Sequence, residues 1–140
     1  MPLVLRTAVA ADIDGLLALW QQAAENADRP VDTRGAVLAA LTRDPEAVIV
    51  AEHDGVLAGS VIAGWDGWRC HLYRLAVHPA HRGHGIGTAL VKAAEDRFRS
   101  LGGGRADAMV HQGNDSGQGL WRALGYVPQE NWRRWVKPLR

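Results

Sequence analysis

Two periods of apolar spacing divide the chain. Residues 3–7 read as a short first strand. Asp12 suits a helix N-cap, opening a helix over about 12–26 with Ile13, Leu16, Leu17, Trp20 and Ala24 on one face. Asn26 to Pro30 breaks it. A second helix is predicted over about 32–43, with Val37, Leu38 and Leu41 as its stripe and Pro45 closing the segment. Residues 47–53 and 56–64 read as strands around Asp54-Gly55, a two-residue hairpin signal. Asp66-Gly67 gives a second reversal into a strand at about 69–77, so three consecutive strands form an antiparallel meander. His78-Pro79 stops the third, because proline donates no ladder hydrogen bond. Ile86, Leu90, Val91, Ala94 and Phe98 then recur at helical spacing over about 85–101, and Gly102-Gly103-Gly104 ends that helix. Residues 105–111 read as a strand, parallel to its predecessor because a helix crosses between them. A short helix at 115–124 ends at Gly125, and strands are predicted at 126–128 and 132–138.

Composition narrows the class. A length of 140 residues, 47% apolar and 22% charged, suits one globular domain over 1–140. A net charge of +1 gives no support to broad nucleic-acid or membrane attraction. The single cysteine, Cys70, rules out an intramolecular disulfide and shows no metal-ligand cluster, so no metal is expected. Pro2 and Arg6 stand where a signal peptide needs an apolar core, which makes a cytoplasmic location the expectation.

The chemistry concentrates between the third strand and the long helix, in Leu75-Ala76-Val77-His78-Pro79-Ala80-His81-Arg82-Gly83-His84-Gly85-Ile86-Gly87-Thr88. Glycines at 83, 85 and 87 let a ligand approach the backbone. The amides of the first helical turn lack helical partners, and the helix dipole favours negative charge there. Arg82 adds a fixed positive charge. The sum reads as a diphosphate site, against the plainer reading of a glycine-rich turn without ligand. Gly83 to Thr88 is not the dinucleotide fingerprint, and no Gly-Lys-Ser/Thr ending for a triphosphate loop is present.

Arg82-Gly83-His84-Gly85-Ile86-Gly87 resembles the Arg/Gln-x-x-Gly-x-Gly/Ala loop of the GNAT superfamily, the acyl-CoA-dependent N-acetyltransferases. The Leu-Ala-Val-His-Pro run before it, the later Asn114 with Leu120-Trp121-Arg122-Ala123-Leu124-Gly125-Tyr126, and the opening Leu5-Arg6-Thr7-Ala8 with Asp12, Leu16-Leu17 and Leu19-Trp20 are similar to that family, in its order. The resemblance implies an α/β (α+β) fold: a mixed central sheet of about six to seven strands with helices on both faces. It also implies a splayed strand pair holding the pantetheine arm of CoA.

The resemblance further implies that acetyl-CoA is the co-substrate. Its diphosphate would lie on the amides of Arg82, Gly83, His84, Gly85, Ile86, Gly87 and Thr88, and its pantetheine on the main chain of Leu75, Ala76 and Val77. Asn114 corresponds to an asparagine that touches the CoA arm, although capping the helix at Asn114-Asp115-Ser116 explains it equally. An exposed amide near Leu75 to Val77 can also polarise a thioester carbonyl.

A primary amine is mostly charged at neutral pH and must lose a proton before attack. Some family members place a glutamate four residues before the Leu-Ala-Val run, where this chain has His71, a residue able to act as base. A glutamate used by others, five residues before the asparagine, is here Met109, which cannot serve; His111 faces the same side. The family tyrosine seven places after the asparagine is here Trp121, which can pack against or hold the sulfur but is no general acid. Tyr73, Tyr126 or water would replace it.

On the acceptor side, Asp66 can attract a cationic amine and Trp65 and Trp68 can add cation–π contacts, although a hairpin turn alone accounts for Asp-Gly. Trp132-Arg133-Arg134-Trp135-Val136-Lys137 reads as a final strand with one buried and one solvated face. An aromatic homodimer interface is one reading of the six tryptophans. The expected activity is acetyl transfer from acetyl-CoA to a small-molecule or peptide amine by direct attack in a ternary complex. The alternatives are a non-catalytic acyl-CoA-binding module and a partner domain acetylating proteins or peptides.

Overall fold

A computed structural model of the protein describes residues 2–23 and 31–139. One five-stranded sheet runs in the order β1-β2-β3-β4-β5. Its strands are β1 (Leu3–Thr7), β2 (Val48–His53), β3 (Val56–Trp65), β4 (Cys70–Val77) and β5 (Ala106–Ala108). The first three pairings are antiparallel and β4 pairs β5 in parallel, as a crossover through a helix requires. The meander therefore stands as expected, with Asp54 and Gly55 both at positive φ in the β2–β3 turn.

Strand alternation sends side chains to two faces. Val48, Val50, Ile62 and Ala76 pack against α1 (Ile13–Ala23) and α2 (Arg34–Arg43) through Ile13, Leu16, Leu19, Trp20, Val37 and Leu41. Ile49, Ala51, Val61, Ala63, Cys70 and Leu72 pack against α3 (Ile86–Ser100), whose buried face is Ile86, Leu90, Val91, Ala94 and Phe98. Trp121 of α4 (Asp115–Ala123) joins this second cluster. Helices thus cover both faces.

Some expectations require correction. Asp12 is not a helix N-cap: it ends a short 3-10 turn, Ala10–Asp12, where its Oδ2 accepts the Val9 N–H at 2.8 Å. Thr33 caps α2, accepting the Ala36 N–H at 3.1 Å. The expected break at Asn26 to Pro30 falls within 24–30, outside the described residues. The strand expected at 105–111 shrinks to Ala106–Ala108. The strands expected at 126–128 and 132–138 are not formed, so the sheet has five strands rather than six to seven. The tail has no buried face: Trp132 and Trp135 are 76% and 92% exposed. Its apolar residues, Trp132, Trp135 and Val136, do not alternate, so no register puts them on one side of a strand. Pro128 and Pro138 also lack ladder donors.

Candidate active site

The site forms where β4 parts from β5. Pairing covers Cys70↔Ala106, His71↔Asp107 and Leu72↔Ala108, and then stops, while β4 runs on to Val77. From Tyr73 onward no described strand pairs with the β5-facing edge of β4, the splay the family resemblance implies. On its other edge β4 stays paired with β3 to Gly59↔Val77, through a bulge between Ser60 and Ile62. Ile62 faces Tyr73 and Ser60 faces Ala76, so Arg74 and Leu75 together oppose Val61. Arg74 takes the left-handed conformation, φ 53°.

A polar chain holds that bulge. The buried Ser60 hydroxyl accepts the Trp20 indole N–H at 2.7 Å and donates to the Arg74 carbonyl at 2.9 Å. The Arg74 guanidinium donates to Asp32 Oδ1 at 2.8 Å through one amino group and 3.1 Å through Nε. Sequence reasoning placed Trp20 on the apolar face of the first helix and gave none of the four residues this role. A serine inside the apolar run Val56–Trp65 was the available signal, since a buried hydroxyl requires partners.

Beyond Val77, Pro79–His81 forms a 3-10 turn and the chain enters α3. Arg82 Nε donates to the Val77 carbonyl at 3.3 Å, tying the loop to the end of β4. His81 and His84 rest against His53 at the end of β2, the His81 and His53 Nδ1 atoms 2.9 Å apart. Gly83 and Gly85 have φ of 84° and 76°, where a side chain is strained. The helical ladder begins only at Ala89 N–H to Gly85 O, 3.0 Å, leaving the amides of Ile86, Gly87 and Thr88 ahead of it. Gly87 has a different role: it is buried, and an added Cβ would stand 3.2 Å from Leu120 Cδ2. Its missing side chain lets α4 dock on α3.

Asn114 caps α4, its Oδ1 accepting the Gly117 N–H at 2.9 Å. Gly117 leaves room for this cap, since a Cβ there would meet the Asn114 side-chain amide. Trp121 is buried and meets the Tyr126 ring edge-to-face at 4.9 Å. The Tyr126 hydroxyl donates to Glu95 Oε2 at 2.7 Å. Burial, with that bond, pushes its ionisation well above the usual tyrosine range.

His71 and Tyr73 share the opposite face of β4 from Cys70 and Leu72. Tyr73 is 46% exposed, and its ring lies over Gly64, where a Cβ would come within 2.9 Å of it. His71 Nδ1 is 2.8 Å from Asp107 Oδ1. Its Nε2 is 3.8 Å from Asp66 Oδ2. Asp66 Oδ1 accepts the amides of Arg69 at 2.6 Å and Trp68 at 2.8 Å. These two bonds, Arg69 first, hold the Asp66 carboxyl below the usual carboxylate range. Met109 and His111 lie past β5, both exposed.

The residues present suit an extended ligand with an anionic end. An unpaired strand edge offers main-chain groups, and the left-handed glycine loop with unladdered amides and Arg82 offers anion donors. Among the described residues no group of three or more His, Cys, Asp or Glu side chains is arranged to hold a metal ion. No described helix is long and apolar enough to cross a membrane.

Comparison with known proteins gives this arrangement its class. The model of the acetyltransferase (GNAT) family matches residues 14–126. A Yersinia pestis protein named an acetyltransferase is 39% identical over 90 residues, 64% of each chain. The match therefore spans somewhat under two thirds of that relative's length. An acetyltransferase of Pectobacterium atrosepticum is 34% identical over 116 residues, 82% of this chain and 81% of its own. Among solved structures, a candidate acetyltransferase of Salmonella typhimurium holding its cofactor acetyl-CoA superposes with a TM-score of 0.75 at 25% identity, covering 89% of this chain and 79% of its own. The chain belongs to the GNAT family of acetyltransferases.

Proposed function

We propose that the protein transfers an acetyl group from acetyl-CoA to a primary amine. The observation that carries this reading is the open edge of β4 from Tyr73 to Val77, continuous with the glycine loop at the start of α3. The Salmonella structure with acetyl-CoA supports the choice of co-substrate.

Acetyl-CoA supplies an acetyl thioester, and the transfer forms one N–C bond, breaks one C–S bond and requires a proton to pass from nitrogen to sulfur. This chain's residues divide that work. The main chain of Leu75, Ala76 and Val77 binds the pantetheine arm and polarises the carbonyl. The amides from Arg82 to Thr88, with the Arg82 charge, hold the diphosphate. Asn114 uses Oδ1 for its cap and has Nδ2 to offer the ligand. Trp121 backs the site from the core. His71 takes the amine proton at Nε2, since Nδ1 is engaged with Asp107. Tyr73, whose exposed ring lies over Gly64, supplies the hydroxyl that protonates the departing thiolate, since Tyr126 is committed to Glu95. The acceptor is a small-molecule or peptide amine reaching the His71 face.

Titrating isotope-labelled protein with CoA tests the site. The amide signals of Leu75 to Val77 and Gly83 to Thr88 should shift together, while those of α2 stay in place. Shifts confined to other elements would remove the assignment.

A further inference from the structure

The sequence offered His71 as a lone base, and the fold gives it two carboxylate neighbours. We propose that Asp107 is a positioning residue for His71, and that Asp66 receives the ammonium of the acceptor, so that the three form a carboxylate–imidazole–carboxylate receptor for an aliphatic amine arriving as its cation. The inference rests on the reading of His71 as base.

Register makes the arrangement. Parallel pairing sets His71 directly beside Asp107. Cys70, Leu72, Ala106 and Ala108 turn toward the α3 core, so both polar side chains emerge on the other face. An ionised carboxylate only accepts, so the 2.8 Å contact calls for a proton on His71 Nδ1, and in the neutral imidazole that leaves the lone pair on Nε2. Asp107 then stabilises the imidazolium that forms when Nε2 takes a proton.

Asp66 stands on the Nε2 side. Its Oδ1 is occupied by the Arg69 and Trp68 amides, which leaves Oδ2 facing the imidazole at 3.8 Å. A nitrogen at the usual ~2.8 Å from both Oδ2 and Nε2 closes a triangle on that base. An ammonium placed there keeps one hydrogen bond to Asp66 while it gives one proton to Nε2. The neutral amine then holds the lone pair that forms the N–C bond. Among the described residues, the charged groups placed about His71 are Asp66 and Arg69 from the β3–β4 turn and Asp107 from β5, and Tyr73 shares its face of β4. The His71, Asp66 and Asp107 side chains are 38%, 50% and 55% exposed, so an acceptor can reach them and the fold does not depend on their pairing.

The test begins with the free protein. Long-range nitrogen–proton NMR of the His71 imidazole should show the Nδ1–H tautomer in the wild type and a mixture in D107N. The Nε2–H tautomer in the wild type would overturn the proposal without any variant. Thiol release from acetyl-CoA is then followed against a pool of polyamines, amino acids, aminoglycosides and short peptides. D107N should lower the maximal rate about ten- to hundredfold and move the ascending pH limb to lower pH, with D107E recovering part of the loss. D66N keeps an acceptor for the turn amides, and should raise the half-saturating pool concentration about two- to fivefold while lowering the maximal rate less than D107N does. D107N with wild-type tautomer and rate, beside an impaired H71A, would overturn the positioning role alone. H71A with an unchanged pH–rate profile would instead remove the base assignment on which it stands.

Discussion

Ser60 donates its hydroxyl hydrogen to the main-chain carbonyl of Arg74 at 2.9 Å, from the neighbouring strand into the bulge of β4. This bond joins the core to the candidate site, because the bulge sets how the edge from Tyr73 to Val77 is presented. Ser60→Ala removes the donor and leaves a part-buried carbonyl without it. We expect a loss of about 1–3 kcal/mol in denaturant unfolding and weaker CoA binding by calorimetry. Equal CoA affinity in the variant would show that the bulge does not shape the site.

The glycines separate by role. Gly85 lies at φ 76° with open space around its Cβ position, so Gly85→Ala strains the backbone by about 1–2 kcal/mol. CoA affinity should fall with it. Gly59 is different: an added Cβ would stand 2.9 Å from Ile86, 3.0 Å from Leu90 and 3.1 Å from the Ala76 carbonyl. Gly59→Ala should cost about 1–3 kcal/mol by overpacking the sheet–α3 contact, seen as a lower melting temperature.

The two tyrosines should part under substitution. Tyr73→Phe removes the hydroxyl of an exposed ring lying over Gly64, and thiol release should drop by about tenfold or more with the melting temperature retained. Tyr126→Phe breaks the 2.7 Å bond to Glu95, and should lower stability by about 1–2 kcal/mol while thiol release continues. The Tyr126 ionisation is raised in the folded state, so its contribution is full below the ordinary tyrosine value and declines as pH rises above it. Alkaline unfolding curves of wild type and Tyr126→Phe should therefore converge.

At the acid end the group to watch is Asp12. Arg6 grips its two oxygens at 2.7 and 2.9 Å and also reaches Glu52 at 3.0 Å. The Arg6 bonds lower the Asp12 ionisation despite burial. A depressed carboxylate contributes stability above its unfolded value, near ~4, and loses it as pH falls through the folded one. Asp12→Asn should be less stable by about 1–2 kcal/mol at neutral pH, with the gap closing toward pH ~2. A constant gap across that range would contradict the assignment.

Local signals carried most of the fold. The Asp54-Gly55 turn, the helical spacing from Ile86 to Phe98 and the Gly102 stop fell where the structure has them. The tail showed the weakness of composition without period: aromatic and basic residues at 132–137 suggested a strand, but their spacing offers no single face to bury. At the site, the glycine loop and the residue types of His71 and Asn114 were legible. Asp107 as the neighbour of His71 was not, because parallel register is set by a crossover and no short pattern encodes it. The Ser60–Arg74 chain was equally hidden, since α1 brings Trp20 to Ser60 and the segment before α2 brings Asp32 to Arg74, positions far apart in the sequence.

Amine-dependent release of thiol from acetyl-CoA tests the central claim most directly, with the pooled amines offered one class at a time. The account predicts release above background hydrolysis with at least one class, and its loss in His71→Ala. Protein that binds acetyl-CoA yet releases no thiol with any class would contradict acetyl transfer to an amine and leave an acyl-CoA-binding module in its place.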